Sequence, residues 1–85
     1  MELFLYILRS KSSGRFYVGV SSDPEKRLRF HNYIERGFTA RYRPWEIVFM
    51  QEYETKEDAL CAERKVKSWK SRKMILKIID GELKL

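Results

Sequence analysis

The chain has 85 residues, 44% of them hydrophobic, with 18 basic and 12 acidic side chains and a formal charge of +6. That length supports one small core, and the hydrophobic share excludes a disordered chain. The lone cysteine, Cys61, and lone histidine, His31, exclude an internal disulfide and a Cys/His zinc site.

The basic excess points to a polyanionic partner; plain solubility charge is the duller alternative. Met1-Glu2-Leu3-Phe4 opens with an acid and runs straight into a strand pattern, unlike a signal peptide. No apolar run is long enough to span a bilayer. The expectation is a cytoplasmic protein with no membrane association. A single domain over residues 1–85 is expected, with its motif-bearing core at about 3–79.

Leu3 to Arg9 is apolar on both faces, as a central strand would be: Leu3, Leu5 and Ile7 on one, Phe4, Tyr6 and Leu8 on the other. Ser10 to Gly14 is a hairpin loop, and Arg15 to Val20 the return strand. Antiparallel pairing could then bring Tyr6 and Tyr17 to one side of the sheet, in a register that the sequence does not determine. Asp23-Pro24 opens a helix, with Asp23 as cap and Pro24 at the first helical position. The helix is expected to run to about Glu35 and to be terminated by Gly37. Arg27, Leu28, Phe30, His31 and Ile34 share its sheet-facing stripe. A purely structural helix would turn Arg27 outward beside Lys26 and Arg29.

Phe38 to Pro44 is read as a loop, and Trp45 to Tyr53 as a third strand. On that strand Ile47, Phe49 and Tyr53 are assigned to one face, Val48 and Met50 to the other. Thr55 caps the next helix, whose stripe is Ala59, Ala62, Val66 and Trp69, with Glu63 at its edge. Cys61 is expected to be a small core residue. Ser71 caps a last helix with Met74, Ile75, Ile78 and Ile79 inward and Gly81 just beyond. The fold class is α+β: a three-stranded antiparallel sheet flanked by three helices, in the order β-β-α-β-α-α.

Tyr6, Tyr17-Val18-Gly19, Arg27, His31 and Ala59-x-x-x-Glu63 together resemble the GIY-YIG nuclease family over about Leu3 to Lys73. The pattern is most similar to small stand-alone bacterial members related to the endonuclease domain of UvrC. Phe4-Leu5-Tyr6 stands where the family has Gly-Ile-Tyr, so only Tyr6 carries over from that triplet. Val20 occupies a place where some members have lysine. The resemblance implies hydrolysis of a phosphodiester bond in DNA with one divalent ion, Mg²⁺ or Mn²⁺. Tyr17 would orient or deprotonate the attacking water with Tyr6 beside it, and Arg27 would stabilise the phosphate. His31 would assist proton transfer or orient a tyrosine, and Glu63 would hold the metal.

Elementary chemistry suits those assignments. Arginine offers a permanently charged donor fork to the charge that gathers on phosphate oxygens. One carboxylate is enough for Mg²⁺, which keeps most of its waters. Tyrosine, with an unperturbed pKa of about 10, needs a nearby cation such as Arg27 or His31 to become a base. Each residue also has a structural use: core aromatics for Tyr6 and Tyr17, a snorkelling Arg27, a satisfied core His31, and a surface Glu63–Lys67 ion pair.

Arg64 to Lys77 carries Arg64, Lys65, Lys67, Lys70, Arg72, Lys73 and Lys77 and no acid. Lys67, Lys70, Arg72 and Lys73 are the expected contacts to the phosphate backbone, with Arg41 and Arg43 as a second set. Gly19 is expected to leave room for that backbone. Recognition should follow shape rather than sequence. The function expected is a metal-dependent DNA endonuclease of repair or recombination, targeted by a protein partner or weakly selective. The alternative is a nucleic-acid-binding module of the same fold with weak catalysis.

Overall fold

A computed structural model of the chain describes residues 3–34 and 36–85. Strand β1 (Leu3–Ser10) lies between β2 (Phe16–Ser21) and β3 (Trp45–Tyr53), antiparallel to both. The doubly apolar pattern of β1 is explained by this central place: Leu5, Tyr6, Ile7 and Leu8 are all fully covered. The β1–β2 hairpin closes with Gly14 at φ +76, where a side chain would be strained.

Helix α1 (Pro24–Tyr33) starts as its sequence dictates, the Asp23 carboxylate accepting from the Lys26 amide at 3.1 Å. It ends at Tyr33 with Ile34 as C-cap, while Glu35, the expected end, lies outside the described residues. The chain leaves the helix at Ile34, and this side chain is 65% exposed instead of facing the sheet. The expected loop contains a short helix, α2 (Phe38–Arg41), whose N-cap is Gly37. This glycine therefore opens a helix rather than closing one. Helices α3 (Lys56–Trp69) and α4 (Arg72–Ile79) are capped as expected by the hydroxyls of Thr55 and Ser71.

The sheet separates two cores. Leu5, Ile7 and Val18 pack with Ala62, Val66 and Ile78 of α3 and α4. On the opposite face Tyr6, Leu8 and Trp45 pack with Tyr17, Leu28, Tyr42 and Ile47. A register shift between Ile7 and Leu8 pairs them with Phe49 and Ile47, leaving Val48 as the extra residue. The bulge breaks the alternation of β3, so Ile47 and Phe49 face opposite cores and Val48 joins Phe49. The common face assigned to Ile47 and Phe49 is thereby corrected. Cys61 is exposed and belongs to neither core, because it falls on the solvent side of α3 between Ala59 and Ala62.

Candidate active site

The site is built on the α1 side of β1 and β2. The register sets Tyr6 opposite Gly19 and Leu8 opposite Tyr17, so both tyrosines rise from one face of the sheet. Gly19 is spoken for: a Cβ there would lie 2.6 Å from the Tyr6 hydroxyl oxygen. Its missing side chain makes room for the Tyr6 ring, not for a nucleic-acid backbone, which corrects the expectation for Gly19.

His31 is fully buried at the last turn of α1. Its Nε2 shares a hydrogen bond with the Tyr6 hydroxyl at 3.3 Å, and its Nδ1 another with the Thr39 hydroxyl at 3.3 Å. The Tyr17 ring packs on the imidazole at 4.7 Å between centroids. Arg27, one turn earlier, lies over the Phe30 ring at 4.6 Å, close enough for its guanidinium to act on the Tyr6 phenol. Where the Tyr6 hydroxyl donates to an unprotonated Nε2, Nδ1 carries the ring proton and donates to the Thr39 hydroxyl. Sequence reasoning gave Thr39 no role; the signal available was that a buried imidazole needs a partner on both nitrogens.

Burial pushes the Tyr6 phenol above its ordinary value. Arg27 pulls it down, while Tyr17 and Glu63 raise it; burial is the largest effect. The expected lowering by a nearby cation is therefore overridden at Tyr6, and its hydroxyl stays protonated at neutral pH.

Glu63 enters from α3. It lies close enough to Tyr6 for its charge to be felt there, and its carboxylate meets Lys67 Nζ at 3.2 Å. The described residues hold no group of three or more His, Cys, Asp or Glu side chains, so a site closed by several protein ligands does not fit. A carboxylate with phenol hydroxyls nearby does fit a hard cation that keeps its waters, such as Mg²⁺ or Mn²⁺. Tyr6 and Tyr17 thus both meet His31, and Arg27 and Glu63 lie close enough for their charges to act on the Tyr6 phenol.

The basic residues divide. Lys67, Lys70 and Arg72 line one cleft of about 450 Å³, between the start of β2 with the residue before it and the α3–α4 junction. Arg15, to which the sequence assigned nothing, also lines it. Arg72 donates to the Gly14 carbonyl at 2.7 Å and stacks on Phe16. Lys73 and Arg41 are exposed. Arg43 is half-buried, its Nε donating to the His31 carbonyl at 2.7 Å, so part of its guanidinium serves the end of α1. Asn32 fixes Trp45 through both its amide and its carbonyl oxygen, tying α1 to the start of β3.

The fold and the family it matches place the chain in a nuclease family. Residues 2–75 match the GIY-YIG catalytic domain, and the chain belongs to the GIY-YIG family. A UPF0213 protein of Staphylococcus saprophyticus is 33% identical over 82 residues, spanning 92% of this chain and 95% of its own. A UPF0213 protein of Staphylococcus aureus is 36% identical over 76 residues, spanning 85% and 88%. The solution structure of a UPF0213 protein from Bacillus halodurans matches with a TM-score of 0.61 and 27% identity, over 94% of this chain and 84% of that one. No helix among the described residues is long and apolar enough to cross a membrane.

Proposed function

We propose that this chain is a divalent-metal-dependent DNA endonuclease that hydrolyses phosphodiester bonds, acting in repair or recombination. One observation carries the reading. The Tyr6 hydroxyl shares a hydrogen bond with His31 and lies within the influence of Arg27, Tyr17 and Glu63, a concentration of polar groups that suits phosphoryl transfer better than a structural core.

Each residue then has one task. Arg27, steadied by Phe30, presents its guanidinium to the phosphate and neutralises charge that grows on the non-bridging oxygens. Tyr6, buried and protonated, is a hydrogen-bond donor rather than a base. His31 fixes its direction, while Thr39 fixes His31. This leaves Tyr17 as the residue that orients the attacking water. Glu63 would hold Mg²⁺ or Mn²⁺, which would supply polarisation of the phosphate and stabilisation of the leaving oxygen. Lys67, Lys70 and Arg72 in the cleft and the exposed Lys73 and Arg41 contact the phosphate backbone, which favours recognition of DNA shape. Selection of the target by a protein partner would complement such contacts.

One observation favours a second reading, a nucleic-acid-binding module with weak catalysis: Glu63 is engaged by Lys67. The two are separated by cleavage of a labelled panel (single strand, duplex, flap and four-way junction) with and without Mn²⁺. Metal-dependent cutting by the wild type and none by Glu63→Ala supports the nuclease. Salt-sensitive binding that is equal in both proteins, with no cutting by either, overturns it.

A further inference from the structure

Lys67 takes part in two arrangements at once. Its ammonium lies 3.2 Å from Glu63 Oε2, one helical turn away on α3. Its side chain also lines the cleft between the free edge of β2 and the α3–α4 junction, with Arg15, Lys70 and Arg72. The two partners differ in freedom: Glu63 is only 20% exposed, whereas Lys67 is 54% exposed and can swing away. Arg72 is less free, tied to the Gly14 carbonyl and stacked on Phe16. Lys67 is therefore the cleft cation whose movement changes the charge at Glu63.

We propose that Lys67 couples the two places: it stands on the Glu63 carboxylate as a substitute cation, and transfers to an anion that enters the cleft. The coupling rests on the reading of Glu63 as the metal ligand. A divalent ion and an ammonium repel one another across a shared carboxylate, so Lys67 competes with the metal. An anion of phosphate type in the cleft draws Lys67 off and removes that competition. By linkage the effect is reciprocal: metal at Glu63 releases Lys67 and strengthens anion binding by the same factor. The substrate backbone thus helps to assemble the metal site that acts on it, and metal is held weakly when no polyanion is present.

The coupling is tested by Mn²⁺ affinity, read from the electron paramagnetic resonance of the free ion, with the full chain and no cleavage assay. Sulfate serves as the anion at ionic strength matched with chloride, with protein-free Mn²⁺–sulfate association subtracted. The ion pair is partly solvated, which sets the expected size. On this scale Lys67→Met should tighten Mn²⁺ binding about two- to fivefold, and Lys67→Arg should return it to the wild-type value. Lys65→Met, an equal change of charge on the same helix, should leave it unaltered. Sulfate should tighten Mn²⁺ binding to the wild type and not to Lys67→Met. Equal affinities in wild type and Lys67→Met, or the same sulfate effect in both, would overturn the coupling while leaving Glu63 as the metal ligand. If Glu63→Ala binds Mn²⁺ as well as the wild type, the metal reading itself fails, and the coupling with it.

Discussion

Gly19→Ala tests the geometry on which the site depends. The added methyl would stand 2.6 Å from the Tyr6 hydroxyl oxygen and 2.7 Å from its Cζ, well inside a contact distance of roughly 3.5 Å. The end of the Tyr6 ring has to move, and it is buried and hydrogen-bonded to His31. Overpacking of this kind costs about 1–3 kcal/mol, and a lost buried hydrogen bond adds about 1 kcal/mol. The lower unfolded-state entropy of alanine offsets about 0.4–1 kcal/mol. The net loss of about 1–3 kcal/mol corresponds to a fall in Tm of roughly 5–20 °C for a domain of this size. The assay is thermal and urea unfolding followed by circular dichroism, run as a double-mutant cycle with Tyr6→Leu. Once the Tyr6 ring is gone, Gly19→Ala should be nearly neutral, giving a coupling of about 1–3 kcal/mol. The same loss in both backgrounds would show that Gly19 serves its own backbone and not the Tyr6 ring.

Other outcomes follow from the same contacts. Arg27→Ala should lower kcat about 100- to 1000-fold with little change in salt-dependent DNA binding; an equal loss of binding would place Arg27 in ground-state contact alone. Thr39→Val keeps the shape and removes the hydroxyl at His31 Nδ1, so urea unfolding should show a loss of about 1–2 kcal/mol that Thr39→Ser avoids. The Tyr53 hydroxyl is buried with no hydrogen-bond partner among the described residues, so Tyr53→Phe should be neutral or stabilise by up to about 1 kcal/mol in the same assay. Burial raises both Tyr6 and Tyr53 above the ordinary 10.0. The folded chain then holds protons that the unfolded chain releases, so their contribution is fully present below about pH 10 and is lost as pH rises toward the folded values. Unfolding free energies from pH 8 to 11 should fall less steeply in Tyr6→Phe and Tyr53→Phe than in the wild type.

What the sequence determined is what neighbouring residues decide among themselves. Asp23, Thr55 and Ser71 are caps because their oxygens reach amides three residues on, a contact that needs no other part of the chain. The apolar alternation of Leu3 to Leu8 required cover on both faces, which meant a central strand. The spacing of Tyr6, Tyr17, Arg27, His31 and Glu63 carried the family. Tertiary structure decided what depends on partners distant in sequence. The β1–β3 register placed an extra residue at Val48 and reversed the rest of that strand, and no local pattern announces a bulge. The β1–β2 register set Gly19 under Tyr6, turning a supposed space for DNA into space for a ring. The short helix after Gly37 brought Thr39 to His31 across eight residues. Burial, a property of the whole fold, outweighed Arg27 at the Tyr6 phenol. In each case the reason is the same: local rules act through bonded neighbours, whereas register, burial and electrostatics are settled when separate elements compete for one space.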